Sequence, residues 1–267
     1  MPIFFAEREE GGLALLSRED SHHALRVLRL RPGSAVQAAV AGRRFAGELT
    51  EQGGLAAVRL AEELPSTESP LTVTLYQGLP KGDKLESVIR AATELGASAI
   101  VPCLFSRCVA RPEAAEGERK RERLVKIARE AAMLSFRTLL PEIGELLSFD
   151  ALCGRLGQHQ AALVPWEEAG GAALPEAPAG VLDIAVVIGP EGGITPEEMA
   201  RLPARPVSLG PRILRTESAG AAAIAMLDTR LDILEANSRA EEIFAPSASS
   251  IGGLNLVDLP LHEDQAH

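Results

Sequence analysis

Beyond residue 70 the chain sets down one apolar run after another: LTVTLYQGL (71–79), SAIVPCLF (98–105), AALVPW (161–166), DIAVVIG (183–189) and PVSLG (206–210). Strands this uniformly apolar must be covered on both faces. The stretches between them supply the cover. KLESVIRAATELG (84–96) is amphipathic and ends on Gly96, ERLVKIAREAAMLS (122–135) has helical spacing, and Thr195-Pro196-Glu197-Glu198 puts a cap, a first-turn proline and early acids in order. Thr216 is expected to cap an Ala-rich helix that begins at Glu217. Strands alternating with helices make a mostly parallel sheet in an α/β domain.

The first sixty-odd residues obey a different rule. IFFA (3–6), LALLS (13–17), SAVQAAVA (34–41), RFAGELTE (44–51) and LAAVRLAEEL (55–64) are short β-type runs broken by glycine-containing turns, as in a small barrel. One helical interruption is expected in EDSHHALRVLRLRPG (19–33), capped by Asp20 or Ser21 and ended by Pro32-Gly33. PSTESP (65–70) reads as a polar linker. The expected organisation is a β-barrel at 1–68, an α/β domain at 69–236 and an acidic, loosely ordered tail at 237–267.

Composition narrows the function classes. With 46% hydrophobic residues the chain can bury a real core, yet no window has the apolar length of a membrane span, and the N-terminus does not resemble a secretion signal. Three cysteines cannot close a disulfide framework, so reduced, buried thiols and a cytoplasmic location are expected. The net charge of −10 argues against a general nucleic-acid coat. Its distribution is uneven: Ser21 to Gly47 holds five arginines and no acid, Arg119 to Arg137 holds seven basic residues against two acids, and Asp228 onward holds eight acids against two arginines. Basic patches on an acidic protein suit a selective nucleic-acid contact, although each run also reads as an ordinary solvated face. His22 and His23 lie in the first basic patch, and the five histidines show no metal-ligand spacing.

Ligands of open α/β sheets bind beyond the carboxyl ends of the strands. Two turns lie there. In VVIGPEGGITPEE (186–198), Gly192 and Gly193 either admit a ligand to the main chain or form a tight turn. The spacing matches neither the dinucleotide fingerprint nor a P-loop. In SLGPRILRTES (208–218), Arg212 and Arg215 precede a helix whose N-terminal dipole disfavours cations, so they either face an anion or anchor the turn.

Taken in order, HHALRVLRLRPG, KGDKLESVIRAATELGASAIVP, RLVKIAREAAMLSFRTLLPEI, VVIGPEGGITPEE and VSLGPRILRTESAGAAAIA resemble the 16S ribosomal RNA uridine-N3 methyltransferases of the SPOUT class. The resemblance runs to about Leu234 and implies a PUA-like N-terminal barrel and a trefoil-knotted α/β domain. It also implies S-adenosylmethionine as methyl donor, no metal, and a homodimer whose active site uses both subunits. It places Gly189, Glu191, Gly192, Leu209, Gly210, Ile213 and Leu214 around the cofactor, with Leu163 and Val164 ending the strand before them. Arg215 would stabilise charge on the uracil, while Glu217 or Glu191 accepts its N3 proton. Arg26, Arg29, Arg31, Arg43, Arg44, Lys81, Lys84 and Arg137 would contact 16S rRNA in a small ribosomal subunit or its precursor.

The chain departs from the family pattern in two places. Ile3 stands before Phe4-Phe5 where an arginine is common, which removes one RNA contact. Leu134-Ser135-Phe136-Arg137 replaces a Gln-x-Gly before the arginine, which bears on the contacts of Arg137. Two other functions stay open at this level: a knotted paralogue that binds RNA or S-adenosylmethionine without turnover, and an unrelated nucleotide-using enzyme.

Overall fold

The computed structural model describes residues 1–110, 114–169 and 181–227, and the tail at 237–267 lies outside them. The N-terminal part is a closed barrel of β1 (Ile3–Glu10), β2 (Leu13–Leu16), β3 (Ala35–Val40), β4 (Arg43–Gln52) and β5 (Leu55–Leu64), in the order β1-β2-β5-β4-β3. Four neighbouring pairs are antiparallel, and β1 closes on β3 in parallel, with Phe4 opposite Ala38. Alternation along the strands turns Phe4, Leu16, Val36, Leu49 and Val58 inward to fill it. The helical interruption has a different shape from that expected. Helix α1 (Arg18–His22) is capped by Ser17, whose hydroxyl accepts the Asp20 N–H at 2.9 Å, so neither Asp20 nor Ser21 caps it. A wide π-type turn at His23–Val27 then leads into Arg29, which has a φ of 53°.

The second sheet has six strands, β6 (Thr72–Gly78), β7 (Ala99–Cys103), β8 (Glu142–Ile143), β9 (Ala161–Pro165), β10 (Asp183–Ile188) and β11 (Arg205–Val207), ordered β11-β9-β10-β6-β7-β8. Every pair in it is parallel. The five expected strands are present; β8 and helix α4 (Phe149–Leu156) were missed, β8 because two residues carry no periodicity. Helices α2 (Lys84–Glu94), α3 (Ala114–Leu134) and α5 (Pro196–Arg201) complete the expected set, and residues 216–227 form α6. The start of α5 is a complete capping box, with the Thr195 hydroxyl accepting the Glu198 N–H and the Glu198 carboxylate accepting the Thr195 N–H. The chain runs outward from β6 to β7 and β8, then returns to lay β9, β10 and β11 on the other side. That reversal opens a crevice at the carboxyl ends of β6 and β10.

Cys103 and Cys108 are buried, and burial raises the Cys103 thiol far above its ordinary range, which makes it inert. His159 is occupied in a partly buried chain: its Nε2 lies 2.9 Å from the Tyr76 hydroxyl and its Nδ1 2.9 Å from Asp183. Among the described residues no helix is long and apolar enough to cross a membrane.

The seven basic residues of the Arg119–Arg137 run serve mainly to join elements. Arg123 pairs with Glu86 of α2, Lys126 with Glu19, and Arg129 with the buried Asp20 of the barrel while lying over the Phe5 ring. Arg137 was expected on RNA, and the structure corrects this. Its side chain is only 5% exposed, bonded to the carbonyls of Thr93 and Ala97 and paired at 2.8 Å with Glu68. Glu68 belongs to the stretch expected to be a linker, and it also accepts the Thr138 and Leu139 N–H groups, so 65–70 is fastened to the end of α3. Phe136 reaches this corner with a φ of 58°, a conformation that favours glycine, and its ring packs where the barrel residues Ile3 and Phe5 meet Ala132.

Burial alone would raise the Glu68 carboxyl, but the Arg137 guanidinium and the two N–H groups outweigh it and hold it below 4.5. Such a carboxylate contributes stability in full above its unfolded value, and the contribution fades as pH falls through the lowered folded value. Arg137→Met should therefore cost about 3–5 kcal/mol by denaturant unfolding, since it leaves a buried charge alone. Glu68→Gln should flatten the loss of stability as pH falls from the ordinary carboxylate range into more acid solution.

Candidate functional site

Three turns converge beyond the carboxyl ends of β9, β10 and β11. They bound a cleft of about 520 Å³ between Pro165–Glu167, Ile188–Ile194 and Ile213–Glu217. A lobe of about 180 Å³ between Pro165–Glu167 and Ser208–Leu214 shares Trp166 and Leu214 with the cleft. The main cleft falls within the range of about 300–1,000 Å³ usual for small-molecule sites.

One hydroxyl holds the two long turns together. Thr216 Oγ1 donates to the Gly189 carbonyl at 2.6 Å and accepts from Gln77 Nε2 at 2.9 Å. Thr216 was expected to cap α6; instead the Arg215 carbonyl accepts the Ser218 and Ala219 N–H groups and starts that helix, which frees the threonine for the crossing. Gln77 is fully buried, and its amide also donates to the Gly78 carbonyl. Gly78 has to be glycine: a Cβ there would lie 2.5 Å from the Pro190 nitrogen.

Around this knot of contacts the expected cofactor residues divide. Gly189, Glu191, Gly192, Ile213 and Leu214 line the main cleft, and Leu209, Gly210, Ile213 and Leu214 line the lobe. Leu163 and Val164 do not line it. Both are buried inside β9, and the three residues after them, Pro165, Trp166 and Glu167, form the wall. Gly192 lacks a side chain for a local reason, because its α-carbon packs on Arg107, whose Nη1 donates to the Gly192 carbonyl at 2.9 Å. Gly210 has a φ of 113° and open space beside it, so here a ligand can reach the main chain. Sequence reasoning missed Trp166, Glu167, Gln77 and Arg107. The chain's single tryptophan, ending an apolar strand, was the available signal for the first.

Ionisable groups meet in the wall of the cleft. Lys84 Nζ lies 3.1 Å from Glu191 and 3.4 Å from Glu217. Both Glu191 oxygens also accept the Lys81 main-chain N–H, at 3.1 and 3.3 Å. Burial would raise the Glu191 carboxyl, but its own and the Lys81 N–H groups and the Lys84 ammonium outweigh it and hold it below the ordinary range. The same pairing, led by the hydrogen bond to Glu191, raises Lys84. Lys84 was expected on RNA, and the structure places it between the two candidate acids. Arg215 lines the same cleft with its side chain exposed, and no hydrogen bond or ion pair of its guanidinium is present among the described residues. Among those residues no three His, Cys, Asp or Glu side chains converge as a metal site.

The expected RNA residues of the barrel fall into two groups. Arg26, Arg29 and Arg31 are exposed on the turn before β3, while Arg43 and Arg44 start β4, opposite Val40 and Ala39 at the far end of β3. The length of β3 separates the groups by roughly 17 Å. Arg43 is paired with Glu63 and stacks on Phe45, and Arg44 is half-buried, so Arg26, Arg29 and Arg31 are the freer cations.

A family model for the RNA methyltransferase domain matches residues 67–228. The chain is 32% identical over 240 residues to ribosomal RNA small subunit methyltransferase E of Bacillus subtilis strain 168, covering 85% of this chain and 93% of that one. It is 34% identical over 227 residues to the enzyme of the same name from Mycobacterium bovis, covering 81% and 86%. A solved structure of ribosomal RNA small subunit methyltransferase E from Neisseria gonorrhoeae, bound to S-adenosyl methionine, superposes with a TM-score of 0.74 at 28% identity, covering 86% of this chain and 97% of that one.

Thr216→Val keeps the shape of the side chain but strands the Gly189 carbonyl and the buried Gln77 amide. A loss of about 1–3 kcal/mol is expected in chemical denaturation. Gly78→Ala should cost a similar amount through the clash with Pro190, and Gly220→Ala, whose Cβ meets the Leu75 side-chain tips at 3.0 and 3.1 Å and Gln77 Oε1 at an ordinary 3.6 Å, should cost less.

Proposed function

The chain belongs to the RNA methyltransferase family of the SPOUT type, and from that premise we propose that it methylates N3 of a uridine in 16S ribosomal RNA. S-adenosylmethionine is the methyl donor. When bound, it supplies a sulfonium-activated methyl group, so the protein's work is alignment and control of one proton.

The observation that carries this reading is the cleft itself, in which Glu191, Glu217, Lys84 and Arg215 stand beside a lobe built of Trp166, Leu209, Gly210 and Leu214. The lobe offers an aromatic face and exposed main chain, which suits an adenosine. The charged end suits a base that becomes an anion. We assign the crossing of residues 208–216 over 189–194 to the trefoil knot, with Thr216 as its internal tie.

Uridine N3 carries a proton and is a poor nucleophile until that proton leaves. The acceptor needs a lone pair facing the cleft. Glu191 is engaged by the Lys81 N–H and by Lys84, whereas among the described residues Glu217 has a single, longer contact, to Lys84. Glu217 is therefore the acceptor, and Glu191 is its support. Arg215, uncommitted among the described residues, stabilises the negative charge that spreads over the uracil oxygens as the proton departs. No metal is needed for either task.

The exposed Arg26, Arg29 and Arg31 hold the RNA backbone, with Arg43, Arg44 and Lys81 as outlying contacts. The substrate is presented in the small subunit or a precursor of it. The enzyme works as a cytoplasmic homodimer in which the barrel of one protomer presents RNA to the site of its partner.

Two measurements test this reading. Mass spectrometry of 16S rRNA from a deletion strain should show the loss of one N3-methyluridine; rRNA of unchanged composition contradicts the assignment and favours a non-catalytic binder. Arg215→Ala should lower the transfer rate by about 10²–10³-fold, with S-adenosylmethionine affinity by calorimetry nearly unchanged.

A further inference from the structure

Lys84 opens α2 and lines the cleft with Glu217, and nothing in the chain's basic pattern sets it apart from the lysine three residues earlier. Its surroundings do. Among the described residues its ammonium is the only link between two carboxylates brought in by different turns, Glu191 after β10 and Glu217 at the start of α6. Lys81 and Asp83 lie on its own turn, and Arg215 and Glu167 face the same cleft.

The two acids are held unequally. Glu191 is fixed by its own and the Lys81 main-chain N–H groups and by Lys84; among the described residues Glu217 is fixed by Lys84 alone, through one oxygen at 3.4 Å. Two carboxylates within reach of one ammonium repel each other once that charge is gone. The side chain of Glu217 is 22% exposed and would be free to turn toward solvent.

Resting on the methyltransferase reading above, we propose that Lys84 is a positioning residue, a bridge anchored on Glu191 that aims the open oxygen of Glu217 into the cleft. The bridge keeps its anchor when Glu217 takes the proton from N3. At that moment the carboxylate loses its charge and its hold on Lys84 weakens, whereas the Glu191 contact stays. The N3 electron pair freed by that proton forms the new bond to the methyl carbon, whose bond to sulfur breaks and leaves a neutral thioether. Lys84 takes no proton in this sequence, since its partners favour the ammonium form.

Lys84→Met and Lys84→Arg test the bridge, because the side chain is partly exposed and its loss leaves the core intact. Lys84→Met should lower single-turnover transfer by about 10²-fold. S-adenosylmethionine affinity by calorimetry should stay within about threefold, and Lys84→Arg should recover most of the rate. In carboxyl-carbon NMR of the protein without RNA, Glu191 should titrate at higher pH in Lys84→Met than in the parent. Parental transfer rates in Lys84→Met, or a rate lost together with cofactor affinity, overturn the proposal, as does an unmoved Glu191 titration. A parent protein that leaves uridine N3 unmethylated instead refutes the function assigned above, and the Glu191 titration, which needs no RNA, still decides whether the bridge exists.

Discussion

A single buried hydroxyl sets the geometry on which the rest of the site depends. Thr216 joins the end of β10 to the start of α6 by donating to Gly189, and Gln77 on β6 holds it from below. Three segments far apart in the chain are thereby locked at one point, inside a sheet whose strand order reverses there. Hydrogen bonds shielded from water are costly to break without replacement, so the crossing behaves as a fixed corner. Because Gly78 lets the 189–194 turn settle directly on β6, that corner is also compact. Cleft and lobe share walls on either side of it, which is why one ligand can touch both.

The same economy joins the two domains. Glu68 and Arg137 are both largely buried, and each answers the other while also satisfying main-chain groups. Together with Arg129 on Asp20 and the small apolar cluster around Phe5 and Ala132, they orient the barrel on α3. A barrel held in this way presents Arg26, Arg29 and Arg31 at a defined place relative to the cleft. Position-specific modification of a structured RNA requires that kind of fixed geometry.

Much of this was legible from the sequence, for identifiable reasons. The β-barrel strands alternate and the sheet strands are apolar throughout, so period and composition separated the two domains and located every strand except the two-residue β8. Glu191, Gly210 and Leu214, which the family resemblance placed around the cofactor, line the cleft and its lobe, in turns that follow parallel strands. The failures have a common cause. Arg137 and Lys84 were placed on RNA by the family resemblance and Thr216 at a helix cap by its place in the sequence, and each is held by a partner more than twenty-five residues away: Glu68, Glu191 and Gly189. A basic residue reads the same whether it faces solvent or a buried acid. Phe136 shows the converse, since the apolar bulk that departs from the family pattern sits in a left-handed conformation and packs into the domain joint.

The central claim is that the tied turns form the methyl donor's pocket. A crystal structure of the protein with S-adenosylmethionine tests it most directly. The account predicts the adenosine in the lobe against Trp166, Leu209 and Gly210, and the methyl group directed toward Glu217 and Arg215, with the Thr216–Gly189 bond intact. A ligand seated away from these turns, or a Thr216 hydroxyl released from Gly189 to accommodate it, would contradict it.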